Sequence, residues 1–308
     1  MIKNTVRMDK MDNRTDKRAI QIIKLQGMAK VLIFASALLP MLASCVKDEL
    51  HDTPHPDKGA IVVQMDWSSL LPEAVADNYI LNVDGYEQTV SGTTNTVERL
   101  SELGEHSLMA YNVPDGITVS GDIASVDEDN GTRAAGSRIK PMPGYLFSLS
   151  ETICVEADDT LRITAKPRQW VRQVNMELTV TEGDYDHIST VTGTLAGVER
   201  SVDIRKGERQ GTAAEVRGTF TVDGNKCRAS FRLMGIVPTE RQTLKVDIVL
   251  SNGDTQRIVS DLTEQMSHFH DDNTPLMLTG NLRLPMESGM TGSIEGWQQA
   301  DGGNTDAH

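Results

Sequence analysis

The chain has 308 residues, a formal net charge of −14 and only 4% aromatic residues. So acidic a body repels phosphate, which argues against nucleic acid and against anionic lipid head groups as partners. The three cysteines, Cys45, Cys154 and Cys227, supply no CxxC or Cys/His zinc spacing, and sparse aromatics leave Val, Ile, Leu and Met to build the cores.

In chain order, the first two dozen residues are polar and basic, and Met28-Ala29-Lys30 offers a second start that would give a conventional short basic region. An apolar run follows from Val31 to Met41, the length of a signal-peptide core and too short to span a bilayer as a helix. Leu42-Ala43-Ser44-Cys45 closes it, with small residues that leave the backbone open to a signal peptidase. The stretch resembles a bacterial lipobox. That resemblance implies a signal peptide over residues 1–44, cleavage before Cys45, and acylation (palmitate-type chains) of its thiol and of the new N-terminus. Several acyl chains anchor stably where one does not, since each buried methylene contributes about 0.8 kcal/mol. Residues 1–44 hold eight basic and three acidic residues, so the remainder is more acidic still, at about −19.

Residues 45–58 read as a lipidated tether, because His51-Asp52-Thr53-Pro54-His55-Pro56-Asp57 combines prolines with charge. Behind the cysteine, Lys47-Asp48-Glu49 resembles the lipoprotein export signal of Bacteroidetes. It implies a protein lipid-anchored in the cell outer membrane and displayed on its outer face.

From Gly59 the pattern is β. Ala60 to Trp67 alternates after an apolar start, and Tyr79 to Val83 runs into Asp84-Gly85, a strong hairpin dipeptide, with Tyr86 to Val90 as the return strand. Pro114-Asp115-Gly116 marks another turn, and residues 127–144 read as a long mobile loop. Val171, Val174, Met176, Leu178 and Val180 mostly share parity, as on a sheet with one buried face. Gly193 to Val198 is expected to bend, Asp223-Gly224 and Ser251-Asn252-Gly253-Asp254 to turn, and Val259 to Met266 to form a short helix. Hairpins at such regular spacing predict an all-β fold of two β-sandwich domains, 59–165 and 166–286, split around 165–169, with a tail over 287–308.

Little in the chain suggests chemistry. His268-Phe269-His270-Asp271-Asp272 is the one clustered ligand set, and alternate histidines on a strand would share a face; lying between a helix and a turn, it reads instead as a solvated loop. Asp127-Glu128-Asp129-Asn130-Gly131 lacks the spacing and terminal Glu of a calcium loop, and Glu156-Ala157-Asp158-Asp159 reads as a turn. No GxSxG, HExxH or phosphate-binding glycine loop occurs, so neither an enzyme nor a cofactor or metal is expected. Cys154 and Cys227 are either a pair or two separate thiols; the sequence leaves both open.

The lipidated cysteine with its acidic trio, Gly59 to Trp67, the Leu-Ser-Asn-Gly hairpin at 250–253, Asp261-Leu262-Thr263 and the closing Trp297 together resemble the Bacteroidales fimbrillin and Mfa-like superfamily, and within it the anchor subunits of type V fimbriae. The resemblance spans most of residues 45–297. It implies tandem transthyretin-like β-sandwiches, attachment to the outer membrane, and fimbrial subunits as partners bound by β-strand complementation. Stalk subunits of that family are cut after a basic residue behind their first strand. Here no Arg or Lys occurs from Gly59 to Glu98, which favours a subunit that keeps its first strand. The tail offers Ile294 and Trp297 for strand exchange, yet they are three residues apart and would face opposite sides of a regular strand, so a bulge or a single anchor is expected. The alternative is a surface glycan-binding lipoprotein of a nutrient-uptake system, with Trp67, Trp170 and Trp297 as its only tryptophans.

Overall fold

The computed structural model describes residues 57–129, 138–285 and 291–300, which belong to one compact unit. Cys45 and Lys47, Asp48 and Glu49 lie outside the described residues. The first strands are β1 (Lys58–Met65), β2 (Asn78–Val83), β3 (Tyr86–Ser91), β4 (Thr94–Thr96), β5 (Ser101–Glu102) and β6 (Gly104–Tyr111). Then come β7 (Ile117–Ser120), β8 (Ile123–Val126), β9 (Arg138–Ile139), β10 (Phe147–Val155), β11 (Thr160–Ala165) and β12 (Arg168–Gln169). The second half opens with β13 (Arg172–Glu182), β14 (Ile188–Glu199), β15 (Ser201–Asp203), β16 (Glu208–Arg209) and β17 (Ala213–Asp223). It closes with β18 (Lys226–Leu233), β19 (Thr243–Leu250), β20 (Thr255–Asp261), β21 (Leu276–Arg283) and β22 (Ser293–Ala300). Among the described residues the only helical turns are three short 3-10 turns, at Trp67–Ser69, Pro72–Ala74 and Tyr185–His187.

These strands form an all-β, sandwich-like architecture. In the N-terminal half, the sheet β11-β1-β4, with β5 also on β1, faces the sheet β12-β10-β6-β2-β3 across a core of Ile61, Val63, Tyr79, Leu81, Leu108 and Phe147. The turn dipeptide acts as expected: Asp84 and Gly85 take φ of 49° and 84°, joining β2 to β3 in a tight hairpin. In the C-terminal half one long sheet runs β20-β19-β14-β17-β18-β13-β21-β22. β17 turns its corner, pairing with β14 through Phe220 and with β18 from Thr221 onward. The sheet so folds over on itself, and Val174, Met176 and Leu178 of β13 meet Val191, Leu195 and Val246 in one core. The buried parity of β13 is the one its sequence shows.

The halves are laced together. β8 pairs with β15 and β9 with β17, so Ile117, Ala124, Val126 and Ile139 join the C-terminal core. Two local expectations are corrected. Val259 to Met266 is not a helix: β20 runs to Asp261 with Ile258 and Ser260 inward and Val259 and Asp261 outward, and only turns follow. Alternation of period two outweighs helix propensity there because Ile258 has a core to enter. Residues 193–198 do not bend the chain away; they lie within β14, which carries a register shift between Leu195 and Val198. Of the long loop expected over 127–144, β9 is a strand, and residues 130–137 lie outside the described residues.

Candidate strand-exchange surface

The first strand is built in. β1 runs parallel to β11, from Ala60 opposite Thr160 to Met65 opposite Ala165, and antiparallel to β4 and β5 on its other side. Ile61, Val63 and Met65 point into the N-terminal core and are buried. Burial of side chains of this size stabilises by about 1.5–3 kcal/mol each. The segment behind β1 is tied down as well. Asp66 caps the first turn by accepting the Ser68 N–H at 3.0 Å, and Trp67 sets its ring edge-on to Tyr79 and Phe147. Ser69 Oγ donates to the Pro167 carbonyl, the Leu71 N–H to Gln169 Oε1 at 3.0 Å, and Asn273 Nδ2 to the Ser69 carbonyl at 2.7 Å. The basic residue nearest its start, Lys58, is engaged with Glu102 at 3.1 Å.

The last strand is held differently. β22 pairs antiparallel with β21 alone, at the end of the long sheet. The register shifts between Thr279, which faces Gln298, and Asn281, which faces Glu295. That bulge is made by Gly296 at φ +62°, a conformation costly for residues with a side chain. The extra residue brings Ile294 and Trp297 to the same side, where both pack over Gly280. A Cβ on Gly280 would lie 3.2 Å from Ile294 Cγ2 and from Trp297 Cδ2. Both side chains are half-buried against the main core, and the indole Nε1 is buried with no hydrogen-bond partner. Gln299 Nε2 donates to the Gln265 carbonyl, and Arg283 approaches Glu295 to 3.7 Å. Glu295, Gln298, Gln299 and Ala300 are exposed.

The remaining sequence candidates separate. His268 turns outward to Asp271, at 2.8 Å. His270 turns inward, its Nε2 accepting the Ile236 N–H at 3.2 Å, and burial followed by Arg209 pushes its pKa down to about 4. The two rings therefore do not share a ligand set. Arg172 instead organises this loop, bonding the Thr274 and Phe269 carbonyls and pairing with Asp272 at 2.9 Å. Asp127 accepts from Thr118 and Lys140, and Glu128 pairs with Arg200 at 3.0 Å. Both cysteines are free thiols: Cys154 is exposed on β10, and Cys227 is buried on β18, where burial pushes its pKa up to about 11. Trp170 is buried, and Trp67 and Trp297 are half-buried.

No family model matches the chain, and no curated protein matches it. Solved structures do. A proposed adhesin from Bacteroides ovatus ATCC 8483 superposes with a TM-score of 0.59 at 17% identity, over 81% of this chain and 95% of its own. The fimbrial anchor protein Mfa2 from Porphyromonas gingivalis gives 0.56 at 13%, over 79% and 97%. A proposed polysaccharide-binding protein from Bacteroides thetaiotaomicron VPI-5482 gives 0.51 at 11%, over 80% and 99%. This chain has their fold. The first two are of the adhesin and fimbrial-anchor kind that the sequence resemblance names, and at such identities the likeness is one of fold.

One feature escaped the sequence. The notch at Gly280 was hidden because a glycine inside an apolar strand signals a close approach without naming what approaches. Of the two expectations raised by the spacing of Ile294 and Trp297, the bulge is the one found, at Gly296.

Proposed function

We propose that the chain is a lipid-anchored, non-enzymatic subunit of a cell-surface fimbria. Acylated Cys45 holds it in the outer membrane, and Lys47-Asp48-Glu49 directs it outward. It binds fimbrial subunits by β-strand complementation, in which backbone hydrogen bonds supply affinity and alternate side chains supply register. The two sandwiches, 59–165 and 166–286, are its structural bodies, with 287–308 as the exchanging tail.

The observation that carries this reading is the seating of β22. It occupies a sheet end, bonds one neighbour, and rests on two half-buried side chains over one notch. Such a strand has one row of backbone bonds and two partly exposed side chains to release. β1 supports the anchor role from the other side, since it is central and no Arg or Lys lies between Gly59 and Glu98. The shared fold with a fimbrial anchor protein is consistent with it. The glycan-binding alternative draws less support, because Trp170 is buried and Trp67 faces Tyr79 and Phe147, leaving no flat aromatic platform at either.

The test is purification of the full chain from native outer membranes beside a variant lacking 287–308, with Cys45→Ser as the lipidation control. Fimbrial subunits should accompany the full chain as a heat-labile, non-covalent ladder and be lost from the truncated one. Fatty-acid label should vanish only in Cys45→Ser. A monomer carrying only glycan would contradict the proposal.

A further inference from the structure

Between the halves, Arg168 of β12 and Arg209 of β16 lie over Trp170, and the turn after β18 and His270 close on Arg209. Arg168 lies over the indole at 4.4 Å and Arg209 at 5.4 Å. Arg209 is packed so closely on Gly235 that a Cβ there would lie 2.6 Å from its Nε and 2.9 Å from His270 Nε2. That Nε is buried and bonds nothing. His270 Nε2 accepts the Ile236 N–H, so the ring is neutral and Nδ1 carries its proton.

The neighbouring acids are occupied elsewhere. Asp272 pairs with Arg172, Asp271 with His268, and the Glu199 carboxylate accepts the Gly211 and Thr212 N–H groups, each at 3.0 Å. Neither Arg168 nor Arg209 forms a hydrogen-bonded ion pair among the described residues, in a chain of net charge −14; Glu199 acts on Arg209 only through space. Two guanidinium groups thus lie over one indole with no carboxylate of the described residues bonded to either, and the neutral ring of His270 lies beside Arg209. Like charges so gathered are unfavourable until an anion joins them. Burial, and then Arg168, lower the Arg209 pKa to about 10, with Glu199 opposing.

We propose that Arg168 and Arg209, with His270 beside them, form a carboxylate-binding site that receives an Asp or Glu side chain of a partner peptide. A carboxylate suits planar guanidinium forks, which donate two parallel hydrogen bonds. A peptide is favoured over an acidic sugar for two reasons. The indole is buried beneath the two arginines and has no face left for a sugar to stack on. Both arginines also sit on end strands, β12 and β16, where an extended segment finds backbone partners. The site is independent of the strand-exchange reading and stands if that reading fails.

Calorimetric titration of the full chain tests it, using the blocked peptide Ac-Thr-Val-Glu-Val-Thr-NH2, its Gln counterpart, and glucuronate. The Glu peptide should bind saturably, more weakly as salt rises, and the Gln peptide at least about tenfold less tightly, the loss expected when a charge-assisted hydrogen bond goes. Arg168→Gln, at an exposed position, should weaken the Glu peptide by about the same factor and leave the melting temperature in place. Arg209→Gln should abolish binding, with circular dichroism confirming the fold. No saturable binding, equal binding of the two peptides, or an unaffected Arg168→Gln would overturn the site. Glucuronate binding more tightly than the Glu peptide would overturn its assignment to a peptide.

Discussion

β1 lies between neighbours on both sides, with Ile61 and Val63 fully buried, whereas β22 has β21 alone and rests on two half-buried side chains. Both are strands at the ends of the described chain, and both sequences hold apolar residues. What separates them is position in the sheet. A central strand gives its hydrogen bonds to two partners and its side chains to a closed core. An end strand gives up one row of bonds and whatever its few side chains cover. The first is held along both edges, the second along one.

Ile61→Ala should have the largest effect, a loss of about 2–5 kcal/mol in urea unfolding, because the surrounding core cannot close on the cavity. A loss below about 1 kcal/mol would mean that β1 contributes little, and the comparison would break.

Gly280→Leu sharpens the comparison from the other end. Its side chain would enter the space that Ile294 and Trp297 occupy at 3.2 Å, and overpacking of this kind costs about 1–3 kcal/mol. Here β22 can leave instead, so the expected outcome is faster chymotrypsin cleavage at Trp297 with little change in the main unfolding transition. A large drop in that transition with no new cleavage would show that β22 is as integral as β1.

Protonation of two histidines, His106 beside β1 and His270 in the loop after β20, acts with opposite sign. His106 places Nδ1 on the Asp84 carboxylate at 2.5 Å and Nε2 on the Glu102 carbonyl at 2.7 Å, so both nitrogens face acceptors, an arrangement that favours the protonated ring. Its pKa is raised, first by the Asp84 hydrogen bond and less by the Glu102 carbonyl, with burial and Arg99 opposing. Its contribution is therefore complete below the ordinary histidine range and lost as pH rises through the raised value. It secures β5 and, through β5, the start of β1. His270 has its pKa lowered to about 4, so stability falls as pH drops from about 6.5 toward 4, where the unfolded chain takes a proton the folded one refuses. His106→Gln should flatten the alkaline limb of a stability–pH curve, and His270→Gln the acid limb. A curve unchanged by either variant would contradict the assignment.

The smallest effect is expected from Lys58→Met. The Lys58–Glu102 pair is solvent-exposed, and such pairs contribute about 0–1 kcal/mol. A thermal melt should scarcely move, which would assign the retention of β1 to its buried face and not to this ion pair.

Much of this architecture is legible in the sequence. Asp84-Gly85 and Asp223-Gly224 announce their hairpins, and the parity of Val174, Met176, Leu178 and Val180 announces a half-buried sheet, because turn chemistry and period-two alternation are local. The lacing of β8 to β15 and β9 to β17 is not legible, since pairing over such separations depends on the assembled cores. For the same reason the apolar residues around Val259 suggested a helix until Ile258 had a core to enter. Ile294 and Trp297 were legible as a pair, but the notch that seats them belongs to Gly280 on another strand. Arg168 and Arg209, forty-one residues apart, carry no local pattern at all.

Hydrogen exchange on the unmodified full chain, read peptide by peptide, compares the two strands most directly. Amides of 293–300 should exchange orders of magnitude faster than those of 60–65, by local detachment well below the free energy of global unfolding. Equal protection of the two strands, both lost only with global unfolding, would contradict the claim that β22 is the separable one.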